Sequence, residues 1–487
     1  MKKILNKRLN IIEIILLLSP IIDILTSISQ RTFNLDISLG LITRSFLLFF
    51  MSIFMLVKSS YKYKRITIIY FGLILVYFAI FIVSTYLTKG YGYIISETKE
   101  LIKAFYFPIC IIAILNYLET KENKIDEKVL FIVLLEYILL LFIPSILNIG
   151  YESYAEDKIG TIGWFYSANE ISAIYSILIV LVIYSYKYIK NIAVYLAVIV
   201  CSFYTILQIG TKLPAATAAI SIVGYTLLKF IQYVITKERK HLKPMCTGIV
   251  ACVIFVFIFI NSPVLKNFDI YKNYLIKTRE TQLVEAKPVE ENIQISENDN
   301  VLDNETETKL SSVEKNAEEI KEEASEQKLP GDYQDKIAQD VEDETLTEDE
   351  IATIIHSGRA ETKEKVQKSF KDLSISKRLI GLGQKNSEDN SYYLIEIDYY
   401  DILFNYGYIG FAIYFIPIIV MILYICKSAF SKGIKGIKQI ICDDYKCCFI
   451  IVIINGLLCA VAGHTFVAPA VSIYISIALI QLYKEFE

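Results

Sequence analysis

Apolar residues in this chain gather in long runs, and polar clusters separate them at near-regular intervals. Each run approaches ~20 residues, the length a helix needs to cross a ~30 Å hydrocarbon core. The runs fall roughly at 10–28, 37–57, 67–87, 101–118, 129–147, 169–186, 192–208, 214–235, 246–262, 403–425, 447–463 and 467–484. The pattern predicts an all-α fold, a polytopic transmembrane helix bundle of about 12 spans, and excludes the soluble classes.

The interval between the ninth and tenth runs is far longer than the others. It divides the chain into an N-terminal bundle of about nine spans (1–262), a large loop (263–402) and a C-terminal bundle of about three spans (403–487). Residues 263–279 are mixed in character. Residues 280–350 hold 24 acids against six bases and almost no aromatics, a composition expected to be disordered or loosely helical. From 351 to 402 the composition changes. An amphipathic helix is expected at about 360–378, with Val366, Phe370 and Leu373 on one side, followed by a turn-rich link through Gly381 and Gly383.

Charge then orients the bundle. The formal charge is −3, but outside 280–350 the chain carries 43 bases against 28 acids. Lysines and arginines crowd one set of connections, for instance Lys62, Lys64 and Arg65, or Lys237, Arg239 and Lys240. The alternate short connections hold few. Basic loops stay cytoplasmic, so both termini are expected inside, the 263–402 loop outside, and the protein in the cell membrane as a multi-pass chain. The start, Met1 to Arg8, leads into the first span without a cleavage-site pattern. All nine cysteines fall in spans or on the inner side, so no disulfide framework is expected. Cys442, Cys447 and Cys448 lack a nearby His, and no metal site is expected.

Candidate chemistry concentrates where the acidic segment gives way to the tenth run, from Leu394 to Gly410. In a helix, Asp398, Asp401 and Asn405 recur at i, i+3, i+7 and share a face, whereas Glu396 would lie with Tyr399, Tyr400 and Leu403. Acids at the mouth of a span are expensive unless they face protein or water, which makes them functional candidates. The plainer reading is a solvated helix start, where acids favour the N-terminus.

Four further places stand out on the expected outer side. Gly160 to Glu170 holds the sole tryptophan, Trp164, with Asn169 and Glu170 just inside the sixth span. Trp164 also suits an interfacial anchor. Gly210-Thr211-Lys212 forms a tight turn, and Lys212 could equally snorkel. His356-Ser357-Gly358-Arg359 lies in the large loop, and Gly463-His464-Thr465 joins the last two spans, where a lone His is commonly structural.

Taken together and in this order, these motifs resemble the O-antigen ligase/polymerase family of bacterial membrane proteins. The matching pieces are Gly163-Trp164-Phe165 with Asn169-Glu170, Gly210-Thr211-Lys212, Ser357-Gly358-Arg359, and Gly381-Leu382-Gly383 followed by Tyr406-Gly407-Tyr408-Ile409-Gly410-Phe411. They cover about 150 to 475. The resemblance implies transfer of glycans from an undecaprenyl-diphosphate carrier at the outer membrane face by an inverting, metal-independent glycosyltransferase with no cofactor. Many members carry a His-Asn pair where this chain has Glu396, and Ser-Arg where it has Thr211-Lys212.

The residue chemistry agrees with that implication. A diphosphate leaving group needs cations, and Arg359 and Lys212 are the candidates, Arg with a bidentate fork. An acceptor hydroxyl benefits from a general base. Glu396 or Asp398 could serve, and Glu396 is favoured, with Asp398 as a positioning group. Trp164, Asn169, Glu170, Tyr399, Asp401 and His464 complete the expected substrate-binding set. The expected function is polymerisation of lipid-linked oligosaccharide repeats into a capsular or other surface polysaccharide. The alternatives are a ligase moving a finished glycan to another acceptor, and a flippase of lipid-linked oligosaccharides. The expected partners are the lipid-linked oligosaccharide, membrane lipid, and assembly proteins such as a flippase or a chain-length regulator; nothing points to nucleic acid.

Overall fold

The computed structural model describes residues 9–33, 38–58, 61–121, 125–154, 158–286, 359–386, 391–431 and 433–487. Every predicted run coincides with helix. The first nine are α1 (Ile11–Phe33), α2 (Leu39–Lys58), α3 (Tyr61–Lys89), α4 (Ile94–Lys121), α5 (Glu127–Ile146), the pair α6 (Ala168–Leu178) and α7 (Val180–Tyr184), α8 (Ile192–Gln208), α9 (Lys212–Thr236) and α10 (Leu242–Ile260). Then come α11 (Pro263–Ala286), α12 (Arg359–Asp372), α13 (Ile375–Ile380), α14 (Asp398–Ser431), α15 (Gly433–Ile441), α16 (Asp444–Val461) and α17 (Pro469–Phe486). Among the described residues, nine helical stretches are long and apolar enough to cross a membrane. Leu39–Ile53 and Ile192–Gln208 are shorter apolar helices. A two-stranded hairpin, β1 (Tyr151–Glu152) with β2 (Thr161–Gly163), lies between α5 and α6.

Two compact units divide the chain: residues 1–267 with 358–487, and residues 268–357. In the first, helices from both ends of the sequence share one core. Its centre is α17, buried from Pro469 through Leu482 and packed against α4, α6, α14 and α16. A helix buried all round must satisfy its polar groups locally. Ser476 does so by donating to the Ser472 carbonyl at 2.9 Å. Of the second unit, the described part is the rest of α11, which runs on as helix through 280–286, so the start of the acidic stretch is helical. Residues 287–350 and the His356-Ser357-Gly358 segment lie outside the described residues.

The expected amphipathic helix at 360–378 is two helices, α12 and α13. The chain breaks at Leu373-Ser374 because Arg378 folds back, its Nε donating to the Leu373 carbonyl at 2.8 Å. Val366 and Phe370 do share a face. They bury with Ile395 and Phe404 in a small second core, and this fixes α12 against α14.

Gly407 shapes the approach to the site. Within α14 it takes φ 64°, a left-handed value that breaks the helical ladder. The carbonyls of Phe404 and Asn405 lose their partners in the next turn. They accept instead from the Leu382 and Gly383 N–H groups, both at 2.9 Å. The backbones approach so closely that a Cβ on Gly381 would stand 2.4 Å from the Asn405 oxygen, and one on Gly407 2.5 Å from the Arg378 oxygen. Tyr77 closes the joint, its hydroxyl donating to the Tyr406 carbonyl at 2.7 Å. The Gly-x-Gly and Tyr-Gly motifs are therefore two halves of one backbone joint.

Candidate active site

Asp398 begins α14 and is wholly buried. One of its oxygens accepts the N–H groups of Thr465 at 2.8 Å and Phe466 at 2.6 Å. Asp401, one turn on, accepts the Ile395 N–H at 2.8 Å, and Asn405 donates to the Tyr393 carbonyl at 3.0 Å. The predicted stripe does share a face, and that face is inward. One oxygen of Asp398, one of Asp401 and the Asn405 amide nitrogen bond to the backbones of two segments, 393–395 and 465–466. Buried carboxylates bonded to N–H groups hold loops firmly. Asp398 is therefore buried and not part of a solvated helix start, the plainer reading of the sequence; it staples the loop between α16 and α17 to the start of α14.

That staple positions Glu396 and His464. Glu396 precedes the helix instead of lying within it, so it does not share a helical face with Tyr400 and Leu403. It has φ 62°, and His464 has φ 60°. Gly463 makes their approach feasible, since a Cβ there would stand 2.5 Å from the Glu396 carbonyl oxygen. Glu396 is contacted from two sides: Arg359 Nη2 lies 3.1 Å from Oε2, and His464 Nε2 3.7 Å from Oε1. The His464 imidazole, with Arg359 beside it, outweighs burial and holds the Glu396 carboxyl at about 2. Burial opposes charge on His464, yet Glu396 and the acids beyond it prevail and raise its pKa.

Arg359 is the first residue of α12, a helix end that disfavours a cation. Glu396 compensates on one nitrogen. Its buried Nε has no acceptor among the described residues. The charge of Arg359 reaches Lys212, as does that of Lys158. Both lysines are exposed. Lys212 opens α9 beside Thr211, whose hydroxyl lies 2.8 Å from that of Ser172 on α6. The turn before it is tied by Asn267, which donates to the carbonyls of Ile159 at 2.7 Å and Gly210 at 3.0 Å. Arg359 and His464 therefore meet at the Glu396 carboxylate, and Lys212 lies within electrostatic reach of Arg359.

The chain belongs to the O-antigen ligase like membrane protein family. The model of that family matches residues 5–487, essentially the full length. No curated protein and no solved structure matches the chain. Membership supports a multi-pass membrane enzyme that transfers a lipid-linked glycan.

The other candidates of this family member take varied places. Tyr399 packs between Phe415, stacked at 6.1 Å, and Phe466 at 5.4 Å, so its ring lies against protein. Trp164 is half-buried in the turn before α6, and Asn169 is half-buried on the first turn of that helix. Glu170, two residues after the start of α6, acts electrostatically on His464. Sequence reasoning passed over Lys158, a loop lysine without a motif. It also passed over the buried Arg44–Asp23 ion pair, to which Tyr137 donates at 2.6 Å. The signal for that pair was present: a charge inside each of two apolar runs. Among the described residues no three of His, Cys, Asp or Glu group as a metal site. The Cys447 thiol donates to the Ile440 carbonyl at 3.2 Å.

Proposed function

We propose that the protein polymerises diphosphate-linked oligosaccharide repeats into a cell-surface polysaccharide at the outer face of the membrane, with both termini in the cytoplasm. The observation that carries this reading is Arg359, ion-paired to Glu396 while its buried Nε has no acceptor among the described residues. Such a fork is suited to phosphate oxygens, and Lys212 and Lys158 add charge nearby.

In this reading the hydroxyl oxygen of the acceptor sugar attacks the anomeric carbon of the donor glycan. The new C–O bond forms as the bond from that carbon to the carrier diphosphate breaks. The diphosphate leaves with the electron pair and is stabilised by the cations, the work a metal ion does in other transferases. Attack from the opposite face inverts the anomeric centre. The hydroxyl proton goes to Glu396. A carboxyl held at about 2 is a weak base while both cations engage it. The incoming diphosphate draws Arg359 onto itself and lifts its share of that depression as the donor arrives, while His464, the larger cause, stays in place. Base strength is thereby coupled to substrate binding. His464 stays beside Glu396 and orients it; Asp398 and Asp401 hold the two loops in register.

A ligase reading shares every one of these groups and differs in the acceptor. A flippase reading gives the Arg359–Glu396–His464 cluster, built from the start of α12, the segment just before α14 and the loop before α17, no role in carrying a glycan across. The test is the pair Arg359→Ala and Arg359→Lys in the producing cell. Both are expected to lose polymer and accumulate lipid-linked repeats at normal protein levels, Arg359→Lys because it keeps charge without the fork. Normal polymer in both variants would end the role assigned to Arg359.

A further inference from the structure

A cavity of about 250 Å3 lies beside the site without including its cations or Glu396. Thr26, Gln30, Lys103, Phe165, Tyr166 and Glu170 contribute to its walls. Two things tie it to the site. Pro469 and Ala470, also in its wall, follow directly on the loop that carries His464. Glu170 is close enough to act on the His464 charge. The volume is just under the ~300–1,000 Å3 of drug-sized pockets, so it suits a small polar unit rather than a lipid chain.

Its charges balance. Arg44 in the wall is ion-paired with Asp23, and Lys103 lies 3.5 Å from Glu100. Lys99 and Glu170 supply one further charge of each sign. A wall of this kind offers both donors and acceptors and no net attraction for an anion. The adjacent rings of Phe165 and Tyr166 add apolar surface. Hydroxyl-rich, uncharged molecules have that complement: hydrogen bonds around the edge and an apolar face. The diphosphate would favour the other side of the His464 loop, where the cations gather.

We propose that this cavity is a subsite for a neutral sugar of the acceptor glycan, separated by the His464 loop from the cations that take the donor's diphosphate. The inference rests on the reading of the protein as an enzyme joining two glycans, since such a reaction needs a second glycan site. It accounts for the loop between α16 and α17 being stapled so firmly by Asp398: the loop is the wall between the two substrates.

The test uses the full-length protein in detergent and a probe that lacks both lipid and phosphate. The probe is the repeat-unit oligosaccharide released by mild acid from the lipid-linked pool of the producing cell. Trp164, the only tryptophan, adjoins Phe165 in the wall and reports binding by its fluorescence. A saturable response is expected in the unmodified protein. Gln30→Leu and Lys103→Ala should each raise half-saturation roughly tenfold by removing a hydrogen-bonding group. Ala470→Leu, which fills the cavity, should abolish the response. All three should elute as the unmodified protein does in size exclusion, and if Ala470→Leu does not, the two polar variants decide. No saturable response, or equal half-saturation in every variant, overturns the proposal. Binding of this kind by a protein that makes no polymer keeps the subsite and sinks the polymerase reading. Polymer formation with variant-insensitive binding sinks the subsite alone.

Discussion

Glu396 and His464 face each other across 3.7 Å, each from a left-handed backbone turn. Non-glycine residues in that region cost about 1–3 kcal/mol each and persist only where their surroundings over-determine them. Here the surroundings are Asp398, which binds two N–H groups just beyond His464, and Asp401, which binds the N–H just before Glu396. The strain is spent on bringing an acid and an imidazole from opposite sides of a loop junction into one site.

Asp398→Ala should therefore destabilise the protein rather than merely slow it. Two buried N–H groups lose their acceptor, at about 1–3 kcal/mol each. Thermal unfolding in detergent should show a clear fall in Tm, with a smaller fall for Asp398→Asn, which keeps one oxygen. An unchanged Tm in Asp398→Ala would mean the staple is not what holds the loop.

The Glu396–His464 pair should give a pH window. Glu396 is depressed to about 2 from an ordinary 4.5, so its contribution to stability is complete above 4.5 and is lost as pH falls towards 2. His464 is raised above 6.5, so its contribution is complete below 6.5 and is lost as pH rises through the elevated value. The Tm gap between the protein and His464→Gln should be widest at about pH 5–6 and should narrow as pH rises above 6.5. A gap that stays constant over that range would contradict the ion pair.

Gly407→Ala and Gly381→Ala should each prevent the joint from closing. An added Cβ would stand within 2.5 Å of backbone in either case, and both positions have positive φ. The expected result is little or no folded protein in the membrane, read by size exclusion after extraction. Normal yield of either variant would show that the loop at 381–383 docks differently.

Much of the fold was legible because the bilayer enforces it. Twelve apolar runs became helices at close to their expected positions, since a spanning segment must satisfy its own backbone. The shared face of Asp398, Asp401 and Asn405 was legible for the same reason, helical periodicity. Its purpose was not. The partners of Asp398 are backbone N–H groups 67 and 68 residues away, and backbone groups carry no sequence signature. Glu396 was placed in the helix because nothing local marks its left-handed turn; the turn is imposed by the Asp401 bond to Ile395 and by the Gly463 backbone. Arg359 and Lys212 stood in recognisable motifs and His464 in an outer turn, but the meeting of Arg359 and His464 at Glu396 is a property of the packed bundle.

The central claim is that Glu396 acts on an acceptor hydroxyl while Arg359 and its neighbouring cations take the diphosphate. The most direct measurement is the purified protein supplied with lipid-linked repeat units, scored by gel for a ladder of polymer lengths. The unmodified protein should build the ladder, and Glu396→Gln should lower the rate by ~10²–10⁴ while remaining folded and still binding substrate. A ladder built at the unmodified rate by Glu396→Gln, or no ladder from the unmodified protein, would contradict the account.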